Sequence, residues 1–160
     1  MDTYTVRLEK DELTFSAAHF ITFAGNVCER LHGHNYGLVA EITGPLDENE
    51  YVVDFIALRD GLKSIVSDLD HHMLLPTTHA ALAVRTEGTE VHVDFQGEKR
   101  WVFPAEDCLL LPVSNTTAER LAQYIGQRLL AILGDIPLTR IRIAVDENHG
   151  QWASWERDVP

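Results

Sequence analysis

The segment Cys28-Glu29-Arg30-Leu31-His32-Gly33-His34 sets a thiol four residues ahead of two imidazoles separated by one glycine. On a strand, residues two apart project from the same face, so His32 and His34 can reach one ion while Gly33 lets the backbone come close. Imidazole suits zinc, and a catalytic zinc takes three protein ligands and keeps a fourth position open. A third histidine is therefore needed. His19, at the end of the preceding strand-like run, is the best placed. A lone His-x-His is often two surface histidines; three on neighbouring strands make a metal centre the leading reading. His92 and His149 have no partner in the sequence and His79 lies in a later insertion, so these three are expected to be solvent-exposed.

Cys28 has three readings: a fourth ligand closing the site, a base or nucleophile favoured by a nearby cation, or a small buried hydrophobe. Its loop position argues against simple core packing. A thiol beside an open zinc suits an enzyme that removes a proton from carbon next to an oxygen. Asp70-His71-His72 offers a carboxylate and imidazole at the end of a helical pattern. Adjacent residues diverge on a helix, so an Asp70–His71 pair requires a non-helical turn; the plainer reading is histidines at a helix C-terminus, favoured by its dipole. Glu147 ends the apolar run Ile141–Val145 and its acidic continuation. It could accept two hydrogen bonds from a guanidine-like ligand edge, or be solvated.

The elements that must position these residues follow from periodicity. Residues 3–20 and 35–43 read as strands that pair, joined by a loop rich in Gly and Asn. Phe55, Leu58, Leu62, Ile65, Val66 and Leu69 recur at helical spacing behind Asp54 as N-cap. A second helix starts at Thr116 or Thr117, carries Leu121, Ile125, Leu129 and Ile132 on one face, and stops at Gly134. Two short strands close the chain. The order is ββααββ, with residues 74–113 inserted between the helices; Gln96-Gly97 joins two strand-like runs there into a β-hairpin.

A length of 160 residues and an apolar fraction of 45% fit one domain. The formal charge of −12 gives no electrostatic footprint for nucleic acid or an anionic membrane. No run has the roughly 18 apolar residues of a membrane span, the first residues lack signal-peptide character, and a cytoplasmic location is expected. Cys28 and Cys108 are expected to be free thiols.

In order along the chain, Phe15–His19 (FSAAH), Cys28–Tyr36 (CERLHGHNY), Val52–Phe55 (VVDF), Leu69–Leu74 (LDHHML), Thr116–Glu119 (TTAE) and Asp146–Ala153 (DENHGQWA) resemble the 6-pyruvoyl-tetrahydropterin synthase family. The spacing from Cys28 to His32 resembles its 6-carboxy-tetrahydropterin synthase branch, of queuosine biosynthesis. The resemblance implies an α+β tunnelling fold, or T-fold: a four-stranded antiparallel sheet with two helices on one face, trimers closing a barrel, and a hexamer with sites between subunits. It implies that His19, His32 and His34 hold Zn2+, that Cys28 is the proton-abstracting base, and that Asp70 and His71 complete a relay. It also implies that Glu147 grips the pterin edge with Thr117 nearby. The expected reaction acts on 7,8-dihydroneopterin triphosphate, releasing triphosphate and, in the carboxy branch, acetaldehyde. Alternatives are a 6-pyruvoyl-tetrahydropterin synthase, a paralogue acting on another pterin, or a non-catalytic zinc module. The sequence departs from the family in its insertion, about thirty residues beyond ordinary connections, in Asn148 after Glu147, and in its few cations for a triphosphate. Arg30, Lys10 and Lys63 are the nearest of these by sequence.

Overall fold

In the computed structural model, which describes residues 2–160, the first strand-like run is broken by a 3-10 turn at Asp11–Leu13 into β1 (Tyr4–Glu9) and β2 (Phe15–His19). The loop that follows carries a two-stranded hairpin, β3 (Thr22–Phe23) and β4 (Val27–Cys28). Its turn runs through Ala24 and Gly25, both at positive φ. The long β5 (His32–Gly44) then pairs antiparallel with both earlier strands, its first half with β2 and its second with β1.

Helix α1 (Phe55–Leu69) begins where the Asp54 carboxylate accepts the Ile56 N–H. It buries Leu58, Leu62, Ile65, Val66 and Leu69, an i, i+4, i+7 stripe. β6 (His72–Pro76) follows, then β7 (Leu82–Glu87), β8 (Glu90–Phe95), β9 (Glu98–Pro104) and β10 (Cys108–Leu111). Helix α2 (Ala118–Leu133) is capped by Thr117, whose hydroxyl oxygen accepts the Arg120 N–H. It stops at Gly134, whose φ of 62° is one that glycine adopts without strain. β11 (Arg140–Asn148) and β12 (Gln151–Asp158) complete the main sheet, ordered β10-β6-β2-β5-β11-β12 with β1 also on β5.

The expected α+β T-fold core is present, with both helices on one face of the sheet. Their stripes meet Leu38, Ala40, Ile42, Ile141, Ile143 and Val145 in the main core, and each such aliphatic burial stabilises by roughly 1.5–3 kcal/mol. The insertion is larger than a hairpin. β8 and β9 do turn at Gln96-Gly97, both at positive φ as a tight hairpin requires, but β7 pairs on the other side of β8 to make three strands. β7 escaped the sequence reading because only Leu82 and Val84 face inward among exposed polar neighbours. Flanking the insertion, β6 and β10 pair in parallel with each other, and β6 in parallel with β2, so the sheet is mixed. The inserted sheet packs on the sheet face opposite the helices. There Phe20, Met73, Leu75, Val91 and Val93 form a second core. Among the described residues no helix is long and apolar enough to cross a membrane.

Candidate metal centre and active site

Pairing of β2 with β5 sets His19 opposite His32 and Ala17 opposite His34. Strand alternation therefore puts the three histidines on one face, the helix side, together with Phe15 and Tyr36. One ring nitrogen from each of His19, His32 and His34 converges within 4.8 Å of the others. The remaining nitrogens fix two of the tautomers. His19 Nδ1 lies 2.8 Å from the Thr116 carbonyl and His32 Nδ1 lies 2.9 Å from the Arg30 carbonyl. A carbonyl only accepts, so both Nδ1 atoms carry the proton, and in the neutral rings both Nε2 atoms present lone pairs.

Those two lone pairs face each other across 3.2 Å. Burial, the largest influence on His19, pulls its pKa down to about 4, so the ring is neutral near pH 7. Glu147 Oε1 adds a third electron-rich atom, 3.2 Å from His19 Nε2 and 3.4 Å from His34 Nε2. The His19 contact is not an ion pair with a charged imidazole, because neutral His19 has no proton on Nε2. Electron pairs aimed at one another in this way suit a cation among them, and a backbone carbonyl behind the ligand nitrogen is the usual support of a metal-binding histidine. The donor set fits a metal ion.

The bend that delivers Glu147 is a register shift between Asp146 and Asn148 where β11 meets β12. A cleft of about 470 Å³ opens beside His34 and Glu147, walled also by Thr14, Asp146, Asn148 and His149. That volume is in the range of small-molecule sites. Thr117 uses a lone pair as the α2 cap, and its neighbour Thr116 makes the contact with the metal cluster. Thr116 is fully buried, and its hydroxyl donates to the Phe20 carbonyl at 2.7 Å.

Cys28 is not part of the converging set. It lies on β4, packed against the second core; its thiol donates to the Glu29 carbonyl at 3.9 Å, and the Arg100 guanidinium donates to its backbone carbonyl at 3.2 Å. Burial pushes its thiol pKa up, and the nearby Arg100 guanidinium opposes that shift. Glu29 was missed in the sequence, although its place between Cys28 and His32 was a signal. Its carboxylate accepts the Ile21 N–H at 3.2 Å and stands 3.4 Å from His32 Nδ1. Tyr36, also overlooked, packs edge-on to His19 and His34 and keeps a buried hydroxyl without a partner among the described residues.

Asp70 and His71 do form the required non-helical pair. α1 ends at Leu69, Asp70 is extended, and His71 takes a φ of 58°. Asp70 Oδ2 stands 3.0 Å from His71 Nδ1, and Asp70 Oδ1 accepts the Ser16 N–H at 2.8 Å. The Ser16 N–H, followed by His71, holds the Asp70 carboxyl below its usual range. Ser16 and its cross-strand partner Asn35 occupy the sheet face opposite the histidine triad. They line a cavity of about 580 Å³ that Ala18, His34, His71, Met73 and Phe103 also touch. Among the described residues, no polar contact joins Cys28 to Asp70 or His71 within the chain.

Two of the histidines expected at the surface are engaged. His92 is flanked by Glu87 and Glu90 with its side chain only 16% exposed, and His79 Nδ1 accepts the Ala81 N–H. His149 is exposed as expected. Lys63 is occupied by Glu12 at 3.6 Å, which weakens its claim as a triphosphate ligand.

A mixed sheet with two helices on one face, and three histidines converging from adjacent strands, defines a metal-centred T-fold enzyme. The family model of 6-pyruvoyl tetrahydropterin synthase matches residues 8–158, and the chain belongs to that family. A protein of Methanocaldococcus jannaschii, provisionally assigned as a 6-carboxy-5,6,7,8-tetrahydropterin synthase, is 31% identical over 149 residues, 91% of this chain and 90% of its own. A dihydroneopterin monophosphate aldolase of Pyrococcus furiosus is 34% identical over 143 residues, 89% and 92% of the two chains. Among solved structures, the 6-pyruvoyltetrahydropterin synthase of Plasmodium vivax superposes with a TM-score of 0.91 at 25% identity, covering 99% of this chain and all of the other. The form solved replaces a glutamate that is a catalytic residue of that enzyme.

Proposed function

We propose that this chain is a zinc-dependent lyase that acts on the phosphorylated side chain of a 7,8-dihydroneopterin. Either it is of the 6-pyruvoyl-tetrahydropterin synthase kind, acting on the triphosphate, or it is a paralogue acting on another phosphorylated dihydropterin. One observation carries the reading. Three histidines whose ring nitrogens converge stand beside two proton acceptors, Cys28 on the hairpin and Glu29 just after it. The likeness to the P. vivax enzyme over the whole chain, insertion included, supports it, as does that enzyme's catalytic glutamate.

Zinc held by His19, His32 and His34 would supply Lewis acidity that makes the side-chain hydroxyls and the adjoining C–H more acidic. The chain's own groups do the rest. On the triphosphate, Cys28 or Glu29 takes the proton from carbon, the C–H electrons form a C=C bond and the triphosphate leaves with the electrons of its C–O bond. On a substrate split by retro-aldol cleavage the same acceptors take a hydroxyl proton as a C=O bond forms and a C–C bond breaks. Asp70 holds His71 ready to hand a proton back. Glu147 accepts hydrogen bonds from the amino edge of the pterin, and the Thr117 hydroxyl proton is free to donate nearby. Because no polar contact among the described residues joins Asp70 or His71 to Cys28 within the chain, the reading includes the multi-subunit assembly of the family, in which a second copy supplies them. β12 lies at the end of the strand order, open to pairing with such a copy.

A second reading is the 6-carboxy reaction of queuosine biosynthesis, favoured by the M. jannaschii relative and by the Cys28–His32 spacing. The deciding experiment gives zinc-loaded protein 7,8-dihydroneopterin triphosphate and, separately, the monophosphate, resolves the products by mass and traps acetaldehyde. A pyruvoyl pterin or an aldol product supports the first reading; a carboxypterin with acetaldehyde supports the second. Intact substrate in both reactions would sink both.

A further inference from the structure

We propose that the inserted sheet of β7, β8 and β9 holds Cys28 in place and tunes its thiol, with Arg100 as the positioning residue. This rests on the reading of Cys28 as a proton acceptor. Cys28 rides on the two-residue strand β4, and so short a hairpin is not stable by itself. The insertion braces it at three points. Arg100 Nη2 donates to the Cys28 carbonyl at 3.2 Å, and Gln96 Nε2 donates to the Gly25 carbonyl in the hairpin turn at 3.4 Å. Trp101 packs on Phe20 with ring centroids 4.5 Å apart, and Phe20 is fully buried immediately after the metal-cluster residue His19. The thiol itself packs into the core that the insertion shares with the main sheet.

Arg100 is also placed to act through charge. Arg7, Arg59, Arg85, Arg128, Arg140 and Arg142 each have a carboxylate within ion-pair distance. Arg100 has none among the described residues; its guanidinium lies over the Trp101 ring, 4.8 Å from the centroid. In a chain of charge −12, a cation without a carboxylate partner keeps its field for the neighbouring thiol. The opposing charge is Glu29, on the same loop as Cys28. From β6 and β8 the groups in that core are the apolar Met73, Leu75, Val91 and Val93, and from β10 the thiol of Cys108. A cation stabilises thiolate over thiol, and only the thiolate accepts a proton or attacks an electrophile.

The test is the pH profile of iodoacetamide alkylation of Cys28, read by peptide mass so that Cys108 is counted separately, on the full metal-loaded chain without any pterin. Arg100→Gln is expected to move the midpoint to higher pH and to slow alkylation at neutral pH about threefold, the size of a modest loss of thiolate. Arg100→Lys, which keeps the charge, restores the rate. An unchanged midpoint in a folded Arg100→Gln variant would overturn the proposal, because a brace without charge would leave the profile alone. Should that variant fail to fold, salt reads the same contact in the unaltered chain. At about 1 M salt, screening at about 3 Å raises the midpoint if Arg100 dominates. A fall or no change means that Glu29 dominates or that neither matters, and defeats the idea. Because no pterin is used, failure of the proposed reaction would not alter this result.

Discussion

The Nε2 atoms of His19 and His32 lie 3.2 Å apart while the opposite nitrogen of each ring is committed to a backbone carbonyl. Two lone pairs so placed need a cation. His32→Ala or His34→Ala should therefore lower zinc affinity by more than the ~10–100-fold lost when a supporting residue is removed, as chelator competition would show. His19→Ala should lose metal and also destabilise the fold by about 1–3 kcal/mol, since the buried Thr116 carbonyl would lose its donor. Wild-type zinc affinity in His32→Ala would refute the site.

Cys28 lies outside the ligand set, so its loss should separate chemistry from metal binding. Cys28→Ala is expected to keep zinc and lose turnover by roughly 10²–10⁴-fold, the weight of a general base. Zinc content and initial rates on one preparation decide it. Lost zinc with the fold intact would mean that the thiol joins the metal in the loaded protein.

Much of this site was legible in the sequence because strand periodicity is short-range. His32-Gly33-His34 puts two imidazoles on one face whatever the rest of the chain does, and Asp54 and Thr117 cap their helices by local geometry. The Asp70–His71 turn could be stated as a condition and was met. What escaped depends on contacts remote in sequence. The carbonyl behind His19 comes from Thr116, 97 residues away, and Arg100 reaches Cys28 from 72 residues away. β6 and β10 are short apolar runs that only their parallel partners identify as strands. Glu29 was overlooked between two more conspicuous residues.

Gly126 marks where α2 crosses β12. A methyl group there would overlap the Trp155 ring and press on Ile143, so Gly126→Ala should destabilise by about 1–3 kcal/mol through overpacking. The urea midpoint should fall without a change in slope. A more stable variant, as helix propensity alone would give, would show that Trp155 is free to move aside.

On the face away from the helices, Glu41 accepts from Arg142 at 2.7 Å and from Arg7 at 2.9 Å. Arg142 first, then Arg7, holds its carboxyl below the usual range. A depressed folded pKa stabilises above the unfolded value and is lost as pH falls through the folded one. Wild type should therefore exceed Glu41→Gln in stability near pH 7, by at most about 1 kcal/mol for groups this exposed. The difference should begin to shrink near the ordinary glutamate value, about pH 4, and vanish as the folded carboxyl protonates below it. Urea titrations of both proteins across that range check the sign; a difference that grows toward acid would reverse the assignment.

The His71 side chain is 82% exposed, and Asp70 holds it at 3.0 Å with no polar contact to Cys28 among the described residues. If the relay works across a subunit boundary, two inactive chains can repair one another. Cys28→Ala and His71→Ala proteins, unfolded and refolded together, should regain activity that neither shows alone. Random assortment in a symmetric assembly leaves about a quarter of the sites with both native halves. Recovery near that fraction would locate His71 on the neighbouring subunit. Absence of recovery, with mixed assemblies verified by mass, would mean that the relay closes within one chain by a movement of the Asp70–His71 turn.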